Sequence, residues 1–158
     1  MKYISHRGNI DGKSIYLENT QEYIDIAISI GFDVEVDVWE IDSELYLGHD
    51  EPSQQVQFGW LFDRKDKLWI HCKNLEAFLF FKSKSNELNY FWHQNDDFAL
   101  TSKGYLWTYP NKPLGEYSIA VLPDMHNDVI IWNNKIGIQN CAGVCSDFIE
   151  NIRKNYHI

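Results

Sequence analysis

A chain of 158 residues with 14 basic and 23 acidic side chains, a net charge of −9 and 15% aromatic residues has the length of one domain, residues 1–158, and enough large apolar groups to bury a core rather than stay disordered. The acidic balance excludes sequence-independent binding to nucleic acid and adsorption to an anionic membrane, both of which reward Lys and Arg. Cys72, Cys141 and Cys145 form no disulfide framework and contain no Cys-x-x-Cys pair, which leaves reduced, partly buried thiols.

In chain order, Lys2 to Ser5 reads as a short strand ending at His6-Arg7-Gly8, followed by a polar loop with Gly8, Asn9, Asp11 and Gly12. Asn19 then fits an N-cap, with Glu22 as its capping-box partner. Tyr23, Ile24, Ala27, Ile28 and Ile30 make a helical stripe that Gly31 stops. Phe32 to Ile41 alternates as a strand, with Phe32, Val34, Val36 and Val38 on one face and Asp33, Glu35, Asp37 and Trp39 on the other. Leu45 to Leu47 is a further extended piece ending at Gly48-His49-Asp50. Leu68-Trp69-Ile70 runs into His71-Cys72-Lys73, and Leu75 to Lys82 reads as a helix. Tyr90-Phe91-Trp92 leads into His93, Tyr105 to Thr108 into Pro110, and Ile119 to Leu122 into Pro123. Val129 to Trp132 and Gly143 to Cys145 are further strands, and Phe148 to Tyr156 is a closing helix. Strand and helix in alternation predict a parallel sheet with its polar residues at the carboxyl ends of the strands, where α/β folds place ligands.

Three clusters carry chemistry. Glu35 and Asp37, two apart on a strand, present both carboxylates to one face, where their mutual repulsion calls for a cation; a solvated strand face accounts for the pair equally well. An Mg²⁺ ion held by one or two carboxylates plus substrate oxygens suits such a pair. His6-Arg7-Gly8 combines a proton-transfer group, a planar fork for phosphate and a residue that lets the backbone approach a ligand. Gly48-His49-Asp50 follows the acidic pair by a hairpin's length, which brings a second imidazole back to it.

In this order, His6-Arg7-Gly8, Glu18-Asn19-Thr20, Gly31, Glu35-Val36-Asp37-Val38 and His49-Asp50 resemble the glycerophosphodiester phosphodiesterase family of phosphatidylinositol-phospholipase-C-like barrels. The match is dense over the first third of the chain, with a fainter echo of the family's last strand at Gly143 to Asp147. The resemblance implies His6 and His49 as the general acid/base pair. It implies Glu35 and Asp37 as metal ligands, and Arg7 and Lys73 as phosphate-binding groups. The family's third acidic ligand falls on His71, which is expected to hold the metal in its place; the alternative is a hydrogen-bonded core histidine that touches no metal. An imidazole there softens a site otherwise suited to Mg²⁺ or Ca²⁺ toward Mn²⁺, Zn²⁺ or Fe²⁺. Asn19, His93 and Trp107 are expected to line the substrate pocket, and a core aromatic is an equal alternative for Trp107. His126 and His157 receive no role.

The expected fold is a reduced or incomplete TIM-type (β/α) barrel, since the chain is well short of the ~250 residues such a barrel ordinarily takes. An open sheet edge on such a barrel invites a homodimer. Without a visible signal peptide or apolar spanning run, the expectation is a cytoplasmic protein with no stable membrane association, acting on a soluble small-molecule phosphodiester. The rival expectation is a phosphometabolite-binding protein that has lost catalysis on the same fold.

Overall fold

The alternation beginning at Phe32 folds as strand β2 (Asp33–Ile41) in the computed structural model, and the rest of the sheet is assembled on its two edges. The structure describes residues 1–123 and 138–155. The expected strand at Val129 to Trp132 therefore lies outside the described residues. The first half of β2 pairs in parallel with β1 (Lys2–His6) on one side and β5 (Leu68–Cys72) on the other. Its second half pairs antiparallel with β3 (Glu44–Leu47). Asp42 and Ser43 make the two-residue turn between them, both at positive φ (53° and 71°), as a hairpin matched to the strand twist requires. β4 (Gln54–Val56) continues this antiparallel edge.

Beyond β1 the sheet continues through β10 (Gly143–Ser146), β9 (Ser118–Val121) and β8 (Leu106–Thr108), all parallel, to β7 (Phe98–Leu100), which runs antiparallel. On the other flank β5 pairs with β6 (Asn89–Phe91). The sheet curls until its flanks touch: Ser102, just past β7, donates its backbone N–H to Tyr90 O at 2.8 Å. Its hydroxyl accepts from Tyr90 N at 3.0 Å. The result is an incomplete barrel. Ile4, Trp69, Phe91, Trp107, Ile119, Val121 and Cys145 from six strands fill its interior as one cluster.

The outer face is covered by few helices. Val34, Val36 and Val38 of β2 pack against Ile24 and Ala27 of α1 (Gln21–Ser29), Leu61 of α2 (Phe58–Asp63), and Ala77 and Phe81 of α3 (Leu75–Lys84). A second outer cluster joins Phe32 and Val144 to Ile149 and Ile152 of α4 (Ile149–Asn155). At ~25 cal/mol per Å² of apolar surface, each fully buried Val or Ile contributes about 1.5–3 kcal/mol, so the three valines anchor β2 firmly.

One helix start differs from expectation. The N-cap of α1 is Thr20, whose hydroxyl accepts from Tyr23 N at 3.3 Å, and not Asn19. Asn19 is left-handed (φ 55°) and its carboxamide is turned into the sheet. α3 is capped by Asn74, which accepts from Ala77 N and bonds the backbone of Glu40 through both ends of its amide, tying the helix start to β2. β4, α2 and β7 were not expected.

Gly143 sits where β1 and β10 approach closely: a Cβ there would lie 2.7 Å from Lys2 O and 2.8 Å from Lys2 Cβ. Gly143→Ala is expected to force the two strands apart and lower the melting temperature by about 2–10 °C. A scanning-calorimetry trace unchanged from wild type would contradict this packing.

Candidate functional site

The register of β2 decides where the chemistry gathers. Asp37 pairs with His71 of β5, and Glu35 with His6 of β1, so the four side chains meet at the carboxyl end of the parallel strands. The hairpin at Asp42-Ser43 returns the chain along β2, and His49 follows β3 directly. Gly48 makes that return possible at φ +146°, where a Cβ would sit 2.1 Å from Glu51 O. Trp39 Nε1 clamps the loop by donating to Gly48 O at 2.7 Å.

Asp37 is completely buried and its carboxylate is surrounded by nitrogen. Oδ2 accepts from Asn19 Nδ2 at 2.9 Å and faces His49 Nδ1 at 3.1 Å and Arg7 Nε at 3.0 Å. Oδ1 faces His71 Nδ1 at 2.9 Å and Lys73 Nζ at 3.4 Å. Asn19 also accepts from Asp37 N at 2.9 Å, so both ends of its carboxamide are engaged with this one residue. Burial works against the charge, but the bonds from His49 and His71 and the nearby Arg7 outweigh it and hold the Asp37 carboxyl well below the usual range.

Glu35 has the opposite fate. It is 2% exposed, and burial and the neighbouring Asp37 charge push its pKa up. Its Oε2 has no hydrogen-bond partner, with His6 Nε2 at 3.8 Å and His71 Nδ1 3.8 Å from Oε1. A buried carboxylate oxygen left unpaired costs ~1–3 kcal/mol or more, and a cation beside it removes that cost.

The fit to a metal ion follows from the donors. One atom each from Glu35, Asp37 and His71 lie within 4.8 Å of one another. An ion centred among them lies at most about 2.8 Å from each donor, so moves of less than an ångström bring all three to ligand distances of ~2.1 Å. The His71 ring is held in place: it lies flat against Phe91 and His93, with centroids 5.1 and 4.5 Å away and planes within 1° and 2°.

His6 is oriented by a residue that the sequence reading left without a role. Asp147, one residue past β10, lies 2.7 Å from His6 Nδ1 and also accepts from Asn9 Nδ2 at 2.8 Å. Burial opposes the His6 charge, but Asp147 and Glu35 prevail and raise its pKa; Asp147 is correspondingly lowered. The signal was present in the register: Ser5 pairs with Ser146, so the next residues along both strands are neighbours. Glu18 has a structural part too, meeting Arg7 NH1 at 3.3 Å and Asn9 Nδ2 at 2.8 Å.

Three hollows share His49 at their junction. A groove of about 780 Å³ runs past His6, Arg7, Lys13 and Asp50. A hollow of about 210 Å³ lies over Glu35, His71, His93, Trp107 and Tyr109. A third, about 340 Å³, adds Lys73, Trp92 and Gln94. The structure thus gathers His6, Arg7, Asn19, Glu35, Asp37, His49, His71, Lys73, His93 and Trp107 at one mouth. Trp107 is at once a wall of the hollow and, at 3% exposure, part of the barrel interior. His93 is neutral near pH 7, since burial, with His71 and Lys73 beside it, lowers its pKa to about 4. His126 and His157 lie outside the described residues.

Comparison of the chain with protein-family models, with curated proteins and with solved structures returned no match.

Two outcomes test this geometry. Asn19→Ala removes two buried hydrogen bonds and puts Cβ chemistry less suited than Asn on a left-handed backbone. Urea unfolding is expected to report a loss of about 2–4 kcal/mol, and an unshifted midpoint would show that Asn19 does not hold Asp37. Asp147→Asn is expected to lower the His6 pKa, because burial then faces a weaker opponent. The His6 ring resonance followed by NMR across pH is the readout, and an unmoved titration would rule out Asp147 as the cause.

Proposed function

We propose that the chain is a small metal-dependent phosphodiesterase, similar to the glycerophosphodiester phosphodiesterases, on a reduced TIM-type barrel. The observation that carries this reading is the buried Glu35–Asp37–His71 donor set with an unpartnered carboxylate oxygen, flanked by two histidines and two cations at one mouth. In this reading the protein works in the cytoplasm on a soluble diester, free of nucleic acid and of stable membrane attachment.

Glu35, Asp37 and His71 would hold the divalent ion. When bound, the ion neutralises charge building on the phosphoryl oxygens. Arg7 and Lys73, both within reach of Asp37, would hold nonbridging phosphate oxygens, with Arg7 contributing its planar fork. His6 takes the proton from a substrate hydroxyl adjacent to the phosphate, as its oxygen bonds to phosphorus. Asp147 supports this role: a carboxylate on Nδ1 fixes the tautomer that leaves Nε2 to accept, and steadies the imidazolium that forms. His49, half-exposed beside the groove, donates a proton to the departing alcohol oxygen as its bond to phosphorus breaks. The product of this step is a cyclic phosphate, and water opens it with the roles of the histidines exchanged.

The test is ³¹P NMR of a panel of soluble phosphodiesters, including glycerophosphocholine, glycerophosphoethanolamine and nucleotide-diphospho-alcohols, with Mg²⁺ or Mn²⁺ and with chelator as control. A new monoester or cyclic phosphate resonance that chelation abolishes is expected. His6→Ala and His49→Ala are each expected to lower turnover by ~10²-fold or more with the fold intact by circular dichroism. Near-wild-type turnover in both variants would overturn the mechanism. Binding of a phosphorylated compound without any conversion would favour the binding-only reading.

A further inference from the structure

Oxygen-only shells suit hard ions such as Mg²⁺ and Ca²⁺, whereas imidazole suits the borderline transition metals. The donor at position 71 is an imidazole held by its neighbours on both the strand and the ring face. His71 stands directly opposite Asp37 in the β2–β5 register. Its ring is backed by Phe91 and His93, whose planes lie within 3° of each other and present one flat wall. With the ring pressed to that wall, Nδ1 is aimed between the two carboxylates, 2.9 Å from Asp37 Oδ1 and 3.8 Å from Glu35 Oε1. An independent observation points at the same place: Glu35 Oε2 is buried, unpartnered and part of the same cluster. With an ion bound, the shell would supply two carboxylates and one imidazole nitrogen, which balances a dication without excess. A third carboxylate would overcompensate it and favour a hard ion held by charge alone.

We propose that this centre selects a borderline transition-metal dication, Mn²⁺, Fe²⁺ or Zn²⁺, over Mg²⁺ and Ca²⁺, with His71 Nδ1 as the selecting donor and the Phe91–His93 wall as the part that fixes it. The proposal rests on the metal-dependent reading above and adds the identity of the ion and the reason for it.

The experiment is calorimetric titration of the chelator-treated full chain with Zn²⁺, Mn²⁺, Mg²⁺ and Ca²⁺ in turn, together with ¹⁵N-histidine NMR on adding Zn²⁺. Zn²⁺ and Mn²⁺ are expected to bind about 10–100-fold or more tightly than Mg²⁺ and Ca²⁺. The His71 Nδ1 resonance is expected to move as a nitrogen taking a metal, without any mutation. His71→Glu is expected to reverse the order, gaining Mg²⁺ and Ca²⁺ affinity while losing Zn²⁺ affinity by about 10–100-fold. Mg²⁺ or Ca²⁺ bound as tightly as Zn²⁺ by the wild type, or an unmoved His71 resonance at Zn²⁺ saturation, overturns the selectivity and leaves the phosphodiesterase reading to its own ³¹P assay. Failure of every ion to bind overturns the metal centre itself.

Discussion

A fully buried carboxylate is tolerable only if the protein surrounds it with donors, and Asp37 is the group around which this site is arranged. Desolvation of such a charge costs several kcal/mol, and its partners here come from four separate stretches of chain: Arg7, Asn19, His49, and His71 with Lys73. The demand of one buried charge thus draws Arg7, Asn19, His49, His71 and Lys73 to one place. Glu35, two residues earlier on the same face, receives no such cage. The contrast between a carboxylate held ionised and one left under-satisfied is a common way for neighbouring acids to take different roles.

The sheet supplies the precision. Because β2 is paired on both edges and its valines are locked under α1, α2 and α3, the inward face that carries Glu35 and Asp37 cannot slip by one residue without burying carboxylates among the apolar side chains beneath the helices. Neighbouring strands inherit that register, and this is why His6 and His71 arrive at the right height. The loops contribute the less regular pieces, pinned by single bonds such as Trp39 to Gly48 O.

Much of this was legible in the sequence, for reasons that differ by residue. The alternation around Val34, Val36 and Val38 declared β2 and its faces, because a strand with one apolar and one polar face must show period two. The stripe of α1 and the stop at Gly31 were read for the same kind of reason. The cap of α1 was misread by one residue because Asn19 and Thr20 are both good caps locally. The choice was made by Asp37, 18 residues away, which claims the Asn19 carboxamide. β4 and β7, three residues each, and α2, six residues, are too short to show a period. His71 was expected beside the acidic pair and lies there, and the absence of matches among known proteins leaves its role to the site's own chemistry. Asp147 was noticed only as the end of a family-like strand and received no role, because the β1–β10 pairing is what brings it to His6.

That pairing bears on the order in which the centre is built. His49 and Asp37 are 12 residues apart in the chain, joined by a two-residue turn. His6 and Asp147 are 141 apart. Loop-closure entropy grows with the intervening length, and local hairpins form in microseconds while distant strand pairings come late. The Asp37 half of the centre is thus within reach of a partly synthesised chain, but the His6–Asp147 dyad exists only after the C-terminal strand has docked against the N-terminal one. A nascent or truncated polypeptide ending before Gly143 carries His6, His49, Glu35, Asp37 and His71, yet lacks the carboxylate that lies against His6. The His6–Asp147 contact is thus the last of these pairings to form, held back by the length of chain that must close before it.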